Sequence, residues 1–318
     1  MSEPSCWQSH DQNRIIELIK QLAPREGFTL TRLEDVKLMR WNHSMPRRPV
    51  LYEPSIVIVC QGHKVGYLGN QVYHYNASQF LVLSVPLPFE SETIATMEEP
   101  LLAISIRINL SVLSELILQL DHGKPVKQKA RPLGIVSTPL DVRLSNTVLR
   151  LLEALTSEND TAILGPAILR EIHYRALSSA QGAAVRATLA YQNHVGKIGK
   201  ALRRIHGEFG EELNVNVLAT EAGMSVPAFH ASFKAVTATS PMQYLKMTRL
   251  HKARLLMIQE GVTAAYASTQ VGYESPSQFS REFKRLFGRT PSEEATAMRQ
   301  SLAVSQSEPT SRYVTVQQ

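Results

Sequence analysis

The chain has two cysteines in 318 residues, Cys6 and Cys60. Two isolated thiols exclude a disulfide framework and a Cys-rich zinc site, and both are expected to be free in a reducing compartment. No apolar run approaches the roughly 20 residues that span a bilayer. Met1-Ser2-Glu3-Pro4 opens neither a signal peptide nor a lipidation motif, so the expected address is the cytoplasm, with no membrane partner. His43, His63 and His74 fall among strand-like segments, yet no His-x-His with a following Glu accompanies them. The ligand density of a catalytic metal site is therefore missing, and no cofactor is expected. What remains, 43% hydrophobic and 19% charged residues, is the composition of an ordinary folded chain with room for two domains.

The positive charge is unevenly placed. Residues 1–180 carry 18 Lys+Arg against 18 Asp+Glu, whereas residues 193–296 carry 13 against 9. The excess lies in the last third, as a phosphate-binding surface requires.

Residues 11–22 read as an amphipathic helix with Ile15, Ile16, Leu18, Ile19 and Leu22 on one side. Strand signals follow at 28–30, 36–41, 56–59, 65–68, 72–75, 80–83 and 101–108, with Gly69-Asn70 as a hairpin turn. Short strands at this spacing predict a small barrel or sandwich. Helical periodicity then takes over. Leu110–Leu120 forms one helix, Pro139 is expected to open a second, and Asp160 to cap a third. These helices either cover the barrel or pair across a homodimer. Residues 179–192, small and aperiodic, read as a linker between an N-terminal domain (1–178) and a C-terminal one (193–300), and 301–318 as a disordered tail.

Two signatures about fifty residues apart organise the C-terminal part: Phe229-His-Ala-Ser-Phe233-Lys234 and Phe279-Ser-Arg-Glu-Phe283-Lys284. Each ends a segment that reads as helix, tight turn, helix. The turns are Gly223-Met-Ser225 and Gly272-Tyr-Glu-Ser275, where glycine supplies positive φ and Ser225 is expected to cap the helix that follows. Phenylalanines four apart face a core. Val226, Pro227, His230 and Ala231 then face outward in the first copy, and Pro276, Ser277, Ser280 and Arg281 in the second. Met242–Met257 reads as one helix that fixes the distance between the copies. Two such helices about one turn of DNA apart would enter adjacent major grooves of a double-stranded promoter.

These residues resemble a known family. Ala222-Gly-Met-Ser225 with Phe229…Phe233-Lys234, then Val271-Gly-Tyr273 with Gln278-Phe-Ser-Arg-Glu-Phe-Lys284…Phe287-Gly288…Thr290-Pro291, is similar to the DNA-binding domain of AraC/XylS transcription regulators. Glu53-Pro54…Gln61-Gly62 and Phe80-Leu-Val-Leu-Ser-Val-Pro resemble the sensing domain of a branch of that family. The resemblance implies an α+β chain: a cupin-like β-barrel with covering helices, then an all-α double helix-turn-helix domain. It also implies transcriptional control, often activation, with a small-molecule effector, a homodimer and RNA polymerase as candidate partners. One departure stands out, since Ala231 occupies a place where the family often has arginine.

The expected DNA contacts are therefore Ser225, Val226, Pro227, His230, Ala231 and Lys234, with Pro276, Ser277, Ser280, Arg281, Lys284 and Arg285. Arg281, Ser277 and Ser280 are expected to dominate base readout, while Lys234, Lys284 and Arg285 suit phosphates. Arg40, Trp41, His43, Tyr67 and Arg107 are candidates to line an effector pocket. The competing classes are a cupin-type metalloenzyme, which needs the absent ligand cluster, a DNA-repair protein, which needs a reactive cysteine set, and a non-sensing architectural DNA binder, which has no use for the neutral β-rich part. No enzymatic signature is present.

Overall fold

The computed structural model describes residues 9–69, 71–120, 134–183, 186 and 195–297. Cys6, Asn70 of the hairpin turn, most of the expected linker and the tail from Ser301 lie outside the described residues.

Among the described residues ten strands form two antiparallel sheets. The first has the order β1-β2-β9-β4-β7-β10 and the second β3-β8-β5-β6. In the first sheet run β1 (Gly27–Leu30), β2 (Val36–Trp41), β4 (Ser55–Gln61), β7 (Gln79–Leu83), β9 (Leu101–Arg107) and β10 (Ile135–Pro139). The second holds β3 (Met45–Tyr52), β5 (His63–Leu68), β6 (Gln71–Asn76) and β8 (Leu87–Ile94). The first sheet is buried on both faces, which is why Ile56-Val-Ile-Val59 reads as a continuous apolar run instead of an alternating one. One face, through Leu38, Ile56, Ile58, Ile104 and Ile106, packs on Ile15, Leu18 and Ile19 of α1 (Ser9–Leu22) and on α3 (Val142–Ala154) and α4 (Glu158–Ser178). The opposite face, through Met39, Val57, Val59, Leu81 and Ala103, packs against the second sheet. A short helix, α2 (Leu110–Leu120), lies along α4.

Two helix starts differ from the expectation. Pro139 is the last residue of β10, and α3 begins after Asp141, whose carboxylate accepts the Leu144 N–H at 2.7 Å. Asp160 sits inside the first turn of α4, and Ser157 caps it. In both cases the cap is the short polar residue with extended backbone just before the helix, and in α4 Glu158 and Asp160 of the first turn add to the helix dipole instead.

The C-terminal part is helical: α5 (Val195–Gly207), α6 (Val215–Glu221), α7 (Val226–Thr237), α8 (Pro241–Gln259), α9 (Ala264–Gln270) and α10 (Pro276–Phe287), then a helical stretch at 291–297. Its first half shares a hydrophobic cluster with the sandwich, running from Val57, Tyr75 and Phe89 to Ile198, Leu218, Phe229, Phe233 and Tyr244. The second half has its own cluster, built on Leu250, Met257, Val271, Phe279 and Phe283.

Candidate nucleic-acid interface

The sequence folds the C-terminal helices into two copies of one unit, with α6 and α9 as support helices and α7 and α10 as the helices they present. Each turn needs its glycine. Gly223 has φ of 57° and Gly272 of 78°. At Gly272 a Cβ would also stand 2.5 Å from the Gly210 carbonyl oxygen, so a side chain is excluded there by contact as well as by backbone conformation. After the second turn, Ser275 caps α10 by accepting the Gln278 N–H at 3.3 Å. Ser225 holds the corresponding extended backbone, but its side chain makes no cap hydrogen bond. There Pro227, lacking an N–H, already removes one of the groups a cap would satisfy.

Phe229 and Phe233 are fully buried, as are Phe279 and Phe283, and within each pair the ring centroids are 5.5 Å apart. Burying two rings one helical turn apart fixes the rotation of each helix and so decides what faces solvent. On α7 the exposed residues are Pro227, Ala228, Ala231, Lys234 and Ala235, with Ser225 exposed just before them; Val226 and His230 are half-buried. On α10 they are Pro276, Ser277, Gln278, Arg281, Lys284 and Arg285, with Ser280 half-buried. The structure thus brings the twelve sequence-predicted residues onto two helix faces. It adds Ala228, Ala235 and Gln278, which follow from the same phenylalanine phase, since each falls where neither ring of its pair points.

Tethers hold these helices in place. Glu282, on the inner side of α10, accepts hydrogen bonds from Tyr273 Oη (2.8 Å), Lys246 Nζ (2.9 Å) and Gln278 Nε2 (3.3 Å). Burial alone would raise its carboxyl, but these donors, Lys246 foremost, bring it below its ordinary value. Arg249 of α8 donates to the carbonyls of Phe209 (2.7 Å), Glu211 (2.8 Å) and Gly272 (3.2 Å), joining the end of α5 to the second turn. Tyr244, also of α8, donates to the Pro86 carbonyl of the β7–β8 loop at 2.6 Å, and its oxygen lies 2.7 Å from His206 Nε2. Because the hydroxyl proton is committed to Pro86, His206 must donate from Nε2. Burial, with Lys252 nearby, lowers His206 to about 4, so the donor is the neutral imidazole with its proton on Nε2.

The effector candidates scatter. Trp41 is half-buried at the sandwich core, edge-on to Phe28 at 6.1 Å and with the Arg48 guanidinium 5.9 Å from its ring. The other four do not line the interior. Arg40 ties β2 to the end of α1 through the carbonyls of Ala23 and Pro24. His43 is exposed and pairs with Glu26 at 2.9 Å. Tyr67 donates to Glu92 on the outer face of the second sheet, under the Arg47 guanidinium. Arg107 pairs with Asp35 at the sheet edge. Strand alternation alone left either face open, and each of these polar groups found an outward partner. Among the described residues no group of three or more His, Cys, Asp or Glu is placed to hold a metal ion, and no helix is long and apolar enough to cross a membrane.

A β-sandwich followed by paired helix-turn-helix units defines a class of proteins that attach a nucleic-acid reader to a second, β-rich domain. Residues 32–184 match the family model of the AraC-type transcriptional regulator N-terminus, and residues 218–296 match a helix-turn-helix domain model. The chain belongs to the AraC-type family of DNA-binding transcription regulators. The Msm operon regulatory protein of Streptococcus mutans is 27% identical over 151 residues, 48% of this chain and 51% of that protein. RclR of Escherichia coli K12, an RCS-specific HTH-type transcriptional activator, is 32% identical over 104 residues, 33% and 37% of the two chains. The chain thus spans between about a third and a half of the length of the curated relatives it matches. Among solved structures, unsaturated-fatty-acid-bound ToxT from Vibrio cholerae shares the fold with a TM-score of 0.56 at 13% identity, over 82% of this chain and 94% of that one.

Proposed function

We propose that this chain is a cytoplasmic, non-enzymatic regulator that places α7 and α10 in successive major grooves of promoter DNA, more often to activate than to repress. The carrying observation is the solvent face of α10, where Gln278, Arg281, Lys284 and Arg285 project together from a helix fixed by Phe279 and Phe283. Arginine and glutamine are the side chains that read guanine and adenine by paired hydrogen bonds, and the flanking cations suit phosphates. On α7 the Ala231 methyl can pack on a thymine methyl, and His230 is the polar candidate. Residues 1–178 act as the sensing and dimerising domain, and residues 193–300 as the reader. Relatives named as activators support the sign of the output, and the fatty acid held by ToxT supports a small-molecule effector. Effector binding would shift the population of dimers able to span two DNA sites, with RNA polymerase as the partner that activation implies.

Selection of bound duplexes from a random library by the full chain tests this. The expected result is a motif of two blocks about one helical turn apart, with one block losing its preference in Arg281→Ala. Weak, salt-sensitive binding without a motif would overturn the reading.

A further inference from the structure

Glu282 sits beside the solvent face of α10, one helical turn from Gln278, with its side chain 14% exposed. Its Oε1 accepts from Lys246 Nζ at 2.9 Å and from Gln278 Nε2 at 3.3 Å, and its Oε2 from Tyr273 Oη at 2.8 Å. Lys246 comes from α8 and Tyr273 from the turn, so the carboxylate is pinned from two sides and cannot swing with the amide it meets. Burial raises its carboxyl, but the three donors bring it below its ordinary value and keep it ionised. An ionised carboxylate only accepts. Gln278 therefore has to turn its nitrogen inward, not its oxygen.

This decides what Gln278 shows to solvent. A primary amide has two N–H groups, one on the side of its carbonyl oxygen and one on the far side. Donating the near one would bring Oε1 against the Glu282 carboxylate, so the far one is spent. Oε1 and the remaining N–H then share the outer edge, an acceptor beside a donor. In the major groove that edge matches adenine, which presents the N6 donor beside the N7 acceptor. With its nitrogen outermost, the same side chain would suit the acceptors of guanine or thymine. The first copy has none of these parts: Ala228 stands in place of Gln278, Ser232 in place of Glu282, and Met224 follows the turn glycine where Tyr273 does.

We propose that Glu282 is a positioning residue for base readout: pinned by Lys246 and Tyr273, it holds the Gln278 amide in the orientation that selects adenine. This rests on the reading of α10 as a base-reading helix, and it adds which base Gln278 takes and what enforces the choice. A side chain fixed before binding loses little rotamer freedom on binding and cannot refit its edge to guanine or thymine.

Duplex selection by the full chain, read position by position, tests this with Gln278→Ala, Glu282→Leu, Glu282→Gln and the double variant Gln278→Ala/Glu282→Leu. The wild type should prefer adenine at one position of the α10 block, and Gln278→Ala, a change at an exposed side chain, should lower that preference about fivefold or more. Glu282→Leu should lower the same preference about threefold to tenfold and leave the guanine preference owed to Arg281. Glu282→Gln should keep it, because Lys246 can only donate and so holds the amide oxygen toward Gln278. In the double variant Glu282→Leu should add nothing at that position. The proposal is overturned if Glu282→Leu leaves the adenine preference intact, if Glu282→Gln loses as much as Glu282→Leu, or if Glu282→Leu acts equally in the Gln278→Ala background. Equal loss at the adenine and guanine positions also overturns it, since that is what a loosened α10 would give. A two-block motif with an Arg281-dependent guanine and no Gln278-dependent adenine sinks this assignment alone, whereas no motif at all sinks the reader and this assignment with it.

Discussion

The two helix-turn-helix copies repeat the same phenylalanine pair and the same lysine, yet differ both in front and behind. In front, α7 exposes Ala228, Ala231 and Ala235 where α10 exposes Gln278, Arg281 and Arg285. Behind, α7 rests on a core shared with the sandwich, whereas α10 rests on a smaller cluster of its own. A further contrast lies at the side, because Glu282 of α10 gathers three donors while its counterpart on α7 is Ser232. The first copy therefore offers methyl groups on a well-anchored helix, and the second offers hydrogen-bonding groups on a locally tethered one. In the proposed reader, hydrogen-bonded specificity belongs to the second copy, and the first contributes position and apolar contact.

The sharpest way to break this comparison is Phe283→Ala. Truncating a fully buried phenylalanine costs about 3–5 kcal/mol, and the separate cluster around Phe283 should confine the damage. Hydrogen exchange is expected to speed up across α9 and α10 while β4 and β9 keep their protection. Equal loss of protection in both regions would show that the two cores unfold as one. Next in size is Arg281→Ala, expected to cost about 1–3 kcal/mol of binding and to relax preference at one base. Lys284→Ala and Lys234→Ala should instead weaken all sequences alike and flatten the salt dependence by about one unit each. If Lys284→Ala changes base preference and Arg281→Ala does not, the division between readers and phosphate contacts is wrong.

Each copy also leans on a buried histidine, which gives the comparison a pH axis. His251 of α8 packs edge-on against Phe287 at 5.1 Å, and burial together with Arg254 lowers it to about 3. His206 behind the first copy is lowered to about 4. A depressed folded value means that the native state resists a proton the unfolded chain accepts near pH 6.5. Stability is therefore complete above about pH 6.5 and falls as pH drops below it, by up to about 1.4 kcal/mol per pH unit for each histidine. Denaturant titrations at pH 7.5 and 5 should show this loss, and His251→Phe should remove part of it. A slope unchanged in His251→Phe would assign the acid sensitivity elsewhere.

How far the sequence carried these conclusions depends on the range of the signal. The helices of the C-terminal half were legible because caps, turn glycines and phenylalanines four apart act within one or two turns of chain. The strands β3, β8 and β10 were not legible. Each contains proline, which marks a break in isolation but is tolerated at an edge or near a strand end, as in β3 and β10. Side-chain direction in the sandwich was harder still. Register shifts at Met45/Arg48 and Val59/Gln61 change which residues of β3 and β4 point inward, whereas in the regular pairings of β5 the alternation left open whether Lys64 or Tyr67 faces in. The shared core behind α7 could not be read at all, since it joins residues more than a hundred positions apart.

The smallest expected effect concerns that shared core directly. Tyr244→Phe keeps the ring, which meets Phe233 edge-on at 5.4 Å, and removes only the hydroxyl that bridges Pro86 and His206. Losing one such hydrogen bond costs about 1 kcal/mol, and somewhat more if the Pro86 carbonyl is left dry. Global stability is thus a blunt readout, and the change should be sought where the bridge acts. The β7–β8 loop is expected to exchange faster in Tyr244→Phe, with α10 unaffected because its cluster does not include Tyr244. If α10 loosens as well, the two copies are mechanically coupled through α8, and the second copy is less independent than its separate core implies. If neither region changes, the hold between the sandwich and the first copy comes from apolar packing alone. An effector that separates them would then have to disturb Phe89 and its neighbours instead of a hydrogen bond.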